Sequence, residues 1–243
     1  MHCGPVNVIC MKWGTKYNGT YVNTLRAMVA RHLKRPHRFV CFTDNSEGFH
    51  PEVEVLPLPT GDLNGEREFG WNKLAIYGET LGDLTGPALF LDLDIIITGE
   101  LDSFFDFLPG EFCIIRDWQR PWRITGNSSV FRFEIGKHTD ILSDFLANPD
   151  AARSSVRNEQ EYLSYKLHEK GRLQYWPAEW CCSFKRHCMK KFPMYYFNSA
   201  GLPETAKVVV FHGNPKPDEA MNGKWTKLRY IHPTPWIAQH WAA

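Results

Sequence analysis

Two aspartates, Asp92 and Asp94, interrupt an apolar, β-branched stretch of the sequence, LFLDLDIIITGELD (89–102). Such a stretch predicts a buried strand, in which an unpaired carboxylate would cost on the order of several kcal/mol. Residues two apart share one side of a strand, and open α/β sheets bind ligands beyond the carboxyl ends of their strands. Because carboxylate oxygens suit Mg²⁺ and Mn²⁺, the pair predicts a metal site. The alternative is a pair of aspartates that cap turns.

A histidine and a lysine follow a second β-branched run, in VVVFHGNPKP (208–217). A neutral imidazole at His212 can share Mn²⁺ with carboxylates, although such a histidine also fits a structural role. Lys216 can neutralise a phosphate as a point charge. Lys73 stands early in a predicted helix ahead of the aspartate strand, where a solvated helix charge is the alternative.

Strands and helices alternate through the first half of the chain, which predicts an α/β fold with a mainly parallel central sheet flanked by helices. The predicted strands are 6–10, 39–43, 53–56, 88–93, 112–116, 128–133 and 207–211, and the predicted helices are 21–34, 71–81, 137–147 and 158–169. We expect one domain over residues 1–243, with a nucleotide-binding half (about 1–100), a sugar and acceptor half (about 101–217) and a tail (218–243).

Composition and the absence of certain motifs argue against several classes of protein. A formal net charge of +1 gives no field that favours nucleic acid. The chain shows neither an export signal nor an apolar run long enough to cross a membrane, so we expect a reduced, cytoplasmic protein. The first loop, WGTKYNGT (13–20), has neither GxGxxG nor a Walker lysine, so a dinucleotide-binding or P-loop protein is not supported.

Taken in order, the motifs resemble those of GT-A-fold glycosyltransferases, and most closely family 8, the glycogenin and bacterial lipopolysaccharide galactosyltransferase group. LFLDLDIII is similar to the strand that ends in a DxD motif. GNSSVFRF (126–133) is similar to an Asn-Ser-Gly strand segment, NEQEYLSYKL (158–167) to an Asp-Gln segment, and FHGNPKP (211–217) to a His-x-x-Gly-x-x-Lys-Pro motif. The closing turn is shorter, and Ser129 and Glu159 replace Gly and Asp, which indicates a distant branch.

The resemblance implies a metal-dependent glycosyltransferase that moves a sugar from a nucleoside-diphosphate sugar, a UDP-sugar for preference, to a glycan or lipid-linked acceptor with retention. The metal is Mn²⁺ or Mg²⁺. The implied metal ligands are Asp92, Asp94 and His212; the donor-binding residues are Lys16, Tyr17, Asp44, Lys73, Ser128 and Lys216; the catalytic candidates are Asn127, Glu159 and Gln160. Asp44 is equally a turn residue. A covalent route and a same-face route both remain open.

Aromatic and basic loops at 62–70, 117–123 and 176–188 are candidates for the acceptor side, where Arg120 and Arg123 could meet an anionic acceptor or simply be surface arginines. The tail could touch a membrane surface as a peripheral contact or pack on its own domain. Two other functions are alternatives to glycosyl transfer. A nucleotidyltransferase usually opens with a Gly-rich basic loop, which WGTKYNGT lacks. A non-catalytic carbohydrate-binding protein needs no strand-end aspartates with a distant His-Lys partner.

Overall fold

A mainly parallel sheet forms the centre of the computed structural model, which describes residues 4–59, 61–65, 70–225 and 230–243. The described strands are β1 (Val6–Lys12), β2 (His37–Thr43), β3 (Glu54–Leu56), β4 (Pro87–Leu91), β5 (Ile95–Ile97), β6 (Phe112–Arg116), β7 (Gly126–Glu134), β8 (Leu173–Tyr175), β9 (Cys181–Ser183), β10 (Val208–Val210), β11 (Lys224–Trp225) and β12 (Tyr230–Ile231). The described α-helices are α1 (Gly19–His32), α2 (Asp102–Asp106), α3 (Thr139–Ala147), α4 (Pro149–Ser155), α5 (Glu159–Glu169), α6 (Pro217–Asn222) and α7 (Pro235–His240).

The central sheet has the strand order β3-β2-β1-β4-β7-β6-β8. Its pairs are parallel except where β7 joins β4 and β6, to both of which it is antiparallel. The predicted α/β class and mainly parallel sheet are therefore confirmed. The reversed strand has a direct consequence for function, because it brings the beginning of β7 beside the end of β4.

Both faces of the sheet are covered, which explains why its strands read as continuous apolar runs. Along β1, Val8 and Cys10 join the core on the α1 side, whereas Ile9 and Met11 join the core that contains Trp71. The second core also takes in α3 and α5 side chains. Every residue of β1 is buried, so no polar alternation is visible in its sequence.

A smaller sheet of order β5-β10-β9 continues from the central one. The β5 and β10 strands are antiparallel, so the end of β10 returns to the start of β5. There the Phe211 N–H donates to the Asp94 carbonyl at 3.0 Å. This bond places the residue before His212 directly against the aspartate turn.

Two predictions of local structure need correction. The helix predicted over 71–81 is a 3₁₀ helix over Trp71–Tyr77 that ends at Gly78. The strand predicted over 88–93 ends at Leu91. Short elements such as β5, β8 and β9 were not predicted, because three residues are too few to show a period.

The C-terminal tail packs on its own domain at several points. The Trp236 indole N–H donates to the Ala200 carbonyl at 2.9 Å, Ile237 is fully buried, and the Trp241 ring lies 5.3 Å from that of Tyr21. None of the helices in the described ranges combines the length and apolar character that crossing a bilayer requires.

Candidate active site

The two aspartates lie in the turn that joins β4 to β5, at the end of the buried strand as predicted. The Asp92 N–H continues the pairing of β4 by donating to the Ser129 carbonyl at 2.9 Å, and the chain then turns. Both aspartates nevertheless line one cavity of about 460 Å³. The predicted strand-end position is therefore right. The expected shared side held only if the strand continued, and β4 has already ended at Leu91.

The cavity gathers nearly all of the residues that the sequence singled out. Those that line it are Lys16, Tyr17, Lys73, Asp92, Asp94, Asn127, Ser128, Glu159, Gln160, His212 and Lys216. They come from segments up to two hundred residues apart. The predicted site residue absent from its lining is Asp44, which instead accepts a hydrogen bond from the Gly14 N–H at 2.9 Å and so braces the first loop.

The topology explains this convergence. β1 and β4 end at the cavity, whereas β7 begins there because it runs in the opposite direction. The first residue of β7, Gly126, donates its N–H to the Ser164 hydroxyl of α5 at 2.7 Å. The Asn158 side chain caps α5 by accepting the Glu161 N–H. The start of α5 is thus fixed beside the start of β7.

Lys216 and Tyr17 hold the Asp94 carboxylate. The Lys216 ammonium lies 2.5 Å from Asp94 Oδ2, and the Tyr17 hydroxyl donates to the same oxygen at 2.8 Å. Burial, then the Asp94 charge, raises the pKa of the Tyr17 phenol well above its usual value, so Tyr17 remains a neutral donor. Lys216 also caps α6, where its N–H donates to the Glu219 carboxylate at 2.9 Å.

Lys73 holds the second aspartate and links it to the beginning of β7. Its ammonium lies 2.7 Å from Asp92 Oδ1 and 3.1 Å from the Ser128 carbonyl. Burial lowers the pKa of Lys73, but the charges of Asp92 and Glu159 outweigh it and the net shift is upward. Lys73 therefore stays charged, and the structure overrules its interpretation as a solvated helix charge.

Glu159 is a buried carboxyl at the beginning of α5. The Ser128 hydroxyl donates to its Oε1 at 2.5 Å, and burial, opposed by Lys73, raises the pKa of Glu159. A Cβ on Gly70, whose φ is +78°, would lie 3.3 Å from the Glu159 carboxyl carbon. Glycine at position 70 therefore serves both the left-handed backbone and the close approach of this carboxyl.

His212 is held from two sides. Its Nε2 lies 2.7 Å from the Ser183 hydroxyl at the end of β9, and its ring stacks on Trp118 with centroids 6.1 Å apart. Burial, reinforced by the charges of Lys185 and Arg186, lowers the pKa of His212 to about 4. The imidazole is therefore neutral at physiological pH.

The ligand types in the cavity fit a divalent metal ion. Each aspartate gives only one of its two oxygens to its lysine bond. If the Nε2–H of His212 donates to Ser183, the Nδ1 lone pair is left for a metal, the usual arrangement of a ligating histidine. Within the described residues, however, no three His, Cys, Asp or Glu side chains are already grouped as a metal site. A metal would thus depend on ligands from the substrate as well.

The loops predicted for the acceptor side divide into packed and exposed parts. Trp176 is buried, with its indole N–H donating to the Val130 carbonyl at 3.2 Å, which is a core role. In the 117–123 segment, Trp118 packs on His212 whereas Trp122 is 78% exposed. Arg123 lies 3.4 Å from Glu161. Within the 62–70 loop, residues 66–69 fall outside the described residues.

Sequence reasoning missed Ser183 and Gly70 among the residues that shape this site. Ser183 ends a three-residue strand, CCS, that has no detectable period. Gly70 reveals its role only through its φ and its contact with Glu159. Ser129, noted only as a departure from a motif, proves to pair with Asp92 through its backbone carbonyl.

The fold is shared with solved glycosyltransferase structures. The galactosyltransferase LgtC, solved with donor and acceptor sugar analogs, aligns with a TM-score of 0.58 at 14% identity, covering 87% of this chain and 88% of LgtC. The apo form of the glycosyltransferase GlyE from Streptococcus pneumoniae TIGR4 aligns with a TM-score of 0.61 at 13% identity, covering 93% of this chain. The bifunctional WbbM aligns with a TM-score of 0.55 at 13% identity, covering 98%.

This chain spans only 57% of GlyE and 51% of WbbM, so both of those chains are considerably longer. No protein-family model matches the sequence, and no curated protein is significantly similar to it. At 13–14% identity the likeness establishes the fold, which is of the GT-A type.

Proposed function

We propose that this protein is a metal-dependent glycosyltransferase that moves a sugar from a nucleoside-diphosphate sugar, preferably a UDP-sugar, to a glycan or lipid-linked acceptor. The observation that carries the proposal is one cavity at the carboxyl ends of β1 and β4. It holds two aspartates, each of which is paired with a lysine. That cavity lies in a fold shared with glycosyltransferases.

The departing diphosphate needs its negative charge neutralised. Lys73 and Lys216 are paired with the two aspartates in the cavity, and Lys16 of the first loop lines the same cavity. These fixed cations stabilise the leaving group electrostatically, which is usually a large catalytic contribution. Asp92, Asp94 and His212 would hold Mn²⁺ or Mg²⁺, which when bound supplies Lewis-acid charge at the diphosphate.

The sugar would lie against the beginnings of β7 and α5. Asn127 and Ser128 at the start of β7 would bind sugar hydroxyls, and Gln160 would support the positive charge that develops at the anomeric carbon. Ser128 is positioned for this because its hydroxyl and its N–H are bonded to Glu159 and, at 3.4 Å, to Gln160. Retention follows if the acceptor attacks from the face that the diphosphate leaves, with a phosphate oxygen taking the acceptor proton. Glu159 is the candidate nucleophile for the covalent alternative.

The acceptor would approach along the 117–123 segment. Trp122 offers an exposed ring for stacking on a sugar, and Arg120 and Arg123 offer charges for an anionic group. The stack of Trp118 on His212 connects this segment to the cavity.

The test is nucleotide binding followed by thermal unfolding. UDP or GDP with Mn²⁺, at about one hundred times its Kd, should raise the unfolding temperature by about 5 °C or more. Asp94→Asn keeps the shape of the side chain but removes its charge, so it should abolish the metal-dependent part of the shift. It should also reduce sugar transfer by about 100-fold or more.

Asp150→Asn is the matched control, because the Asp150 side chain is 98% exposed in α4, outside the cavity. The control should keep the full nucleotide shift. If no nucleoside diphosphate stabilises the protein with Mn²⁺ in excess, or if Asp94→Asn retains full metal-dependent activity, the proposal is wrong.

A further inference from the structure

A loop at 188–201 presents large apolar side chains to solvent. The Gly201 N–H donates to the Cys188 carbonyl at 3.0 Å and closes the loop at its base. At its tip, Phe192 is 75%, Met194 52% and Phe197 75% exposed. Three such residues within six positions are unusual on a soluble surface, where exposed apolar side chains are normally scattered singly.

These side chains form part of a larger surface. A 3₁₀ turn covers Met194–Tyr196 at the tip of the loop, between the exposed Phe192 and Phe197. The Phe192 ring lies 6.1 Å from Tyr195, which in turn lies 4.5 Å from Tyr196.

The β11–β12 hairpin extends this row of aromatic rings. Trp225 is 70% exposed and packs on Tyr230 at 4.7 Å, and Tyr230 packs on His232 at 4.6 Å. The His232 Nε2 lies 2.6 Å from the Tyr196 carbonyl, which fastens the hairpin to the loop. The exposed residues Lys190, Lys191, Phe192, Met194, Phe197 and Trp225 are called the basic aromatic surface below.

The loop is also rich in positive charge. Residues 180–203 contain four Lys or Arg and no Asp or Glu, whereas the whole chain has a net charge of only +1. Lys224, beside Trp225, is paired with Glu219 and so adds little free charge. Lys190 and Lys191 are exposed beside Phe192.

We propose that the basic aromatic surface docks on an anionic lipid bilayer. Aromatic rings insert at the level of the lipid headgroups, and neighbouring lysines are attracted to anionic lipid, so the two features act together. Within the tail, Trp225 belongs to this surface, whereas Trp236 and Trp241 pack inward. It also does not depend on the proposed transfer activity.

The surface adjoins the cavity through one short element. A π-helical turn, Phe184–Cys188, leads from Ser183, the partner of His212, to the base of the loop. Lys185 of this turn lies close enough to Gly213 that a Cβ there would be 3.4 Å from its ammonium nitrogen. Docking would therefore hold the cavity near the bilayer, where a lipid-linked acceptor would be found.

The test is flotation of the full chain with lipid vesicles. The protein should float with vesicles of phosphatidylcholine and phosphatidylglycerol and remain unbound with phosphatidylcholine alone. Lys190→Glu with Lys191→Glu should weaken partitioning roughly 30-fold or more, at about tenfold per 1.4 kcal/mol. Phe192→Ser with Phe197→Ser should weaken it at least tenfold, because the rings lose their apolar contact with lipid.

Two matched controls change equivalent residues elsewhere. Lys34→Glu with Lys137→Glu alters the net charge equally at exposed positions, and Leu146→Ser removes a side chain that is 49% exposed on α3. Both should float like the unchanged protein. Equal flotation with neutral vesicles, no flotation at all, or unchanged flotation of the surface variants would overturn the proposal. So would concentration-dependent dimers that Phe192→Ser with Phe197→Ser abolishes, since a second copy would then cover the surface.

Discussion

At the scale of single residues, the site is a set of matched charges. Asp92 is neutralised by Lys73 and Asp94 by Lys216, each through a direct contact. This pairing offsets the desolvation free energy of two carboxylates at the end of an apolar strand, because a buried charge is tolerated when it is paired. Under the proposed function, a metal bound by the aspartates would free both lysines to meet a diphosphate.

The burial of His138 leads us to expect that the free energy of unfolding falls at acidic pH. His138, just before α3, is buried and accepts a hydrogen bond from Arg172 at 3.2 Å. Burial, then the Arg172 charge, lowers the pKa of His138 from 6.5 to about 4. Between these values the unfolded chain binds the proton and the folded chain does not, so stability falls as pH drops below about 6.5.

The loss from His138 amounts to about 2 kcal/mol at pH 5 relative to pH 7. Gln at position 138 can accept the Arg172 bond without titrating. His138→Gln should therefore lose about 2 kcal/mol less than the unchanged protein over that range, measured by urea unfolding at both pH values. An identical pH dependence of the two proteins would contradict this account.

At the scale of elements, the site is built from termini and short connections. Lys16 and Tyr17 belong to the loop between β1 and α1, and their position depends on how α1 begins. A Cβ on Gly19, the first residue of α1, would lie 2.7 Å from the Glu47 carbonyl oxygen and 3.0 Å from the Gly48 carbonyl carbon. Backbone atoms cannot swing aside as a flexible side chain can, so this contact fixes the loop.

Gly19→Ala should therefore force the two loops apart. We expect a loss of about 1–3 kcal/mol in the free energy of unfolding, as in other overpacked sites. Nucleotide affinity should fall as well, because Tyr17 and Lys16 would be displaced. Calorimetry of binding and urea unfolding measure the two effects. Gly61→Ala is the control, since its Cβ would meet no atom within 4 Å, and equal behaviour of the two variants would refute the role of Gly19.

At the scale of the whole molecule, the two halves share one sheet. β7 belongs to the second half of the chain, yet it lies between β4 of the first half and β6. Its Phe131 ring stacks on Phe90 of β4 at 4.7 Å and on Phe112 of β6 at 5.7 Å. A core continuous across the halves predicts one domain that unfolds as a unit.

A pair of mild substitutions tests this cooperativity. Ile9→Val in β1 and Ile114→Val in β6 each remove one buried methylene, and each should cost about 0.5–1.5 kcal/mol. If the chain is one cooperative unit, calorimetry shows a single transition that both variants shift as a whole. Two transitions, each shifted by only one variant, would mean two independent units.

Periodicity and motif order were enough to predict the fold class and most of the cavity lining. α1, α3 and α5 were located to within about two residues because their apolar faces repeat at helical spacing. Eleven of the twelve predicted site residues line the cavity. Strand-end position alone accounts for the two aspartates and His212, whereas Asn127, Ser128, Glu159 and Gln160 depended on the motif resemblance. Three-residue strands and the 3₁₀ form of 71–77 were missed, since such short segments carry no usable period.

The sequence by itself determined that Asp92 and Asp94 follow a buried strand and that His212 and Lys216 follow a later one, because residue type and spacing are local properties. Only the tertiary structure decided which groups meet. The reversed direction of β7 brings Ser128 to Lys73, and the β5–β10 pairing brings Lys216 to Asp94. These contacts depend on strand direction and strand order. Both are set by packing across the whole sheet, so no single segment of the sequence reveals them.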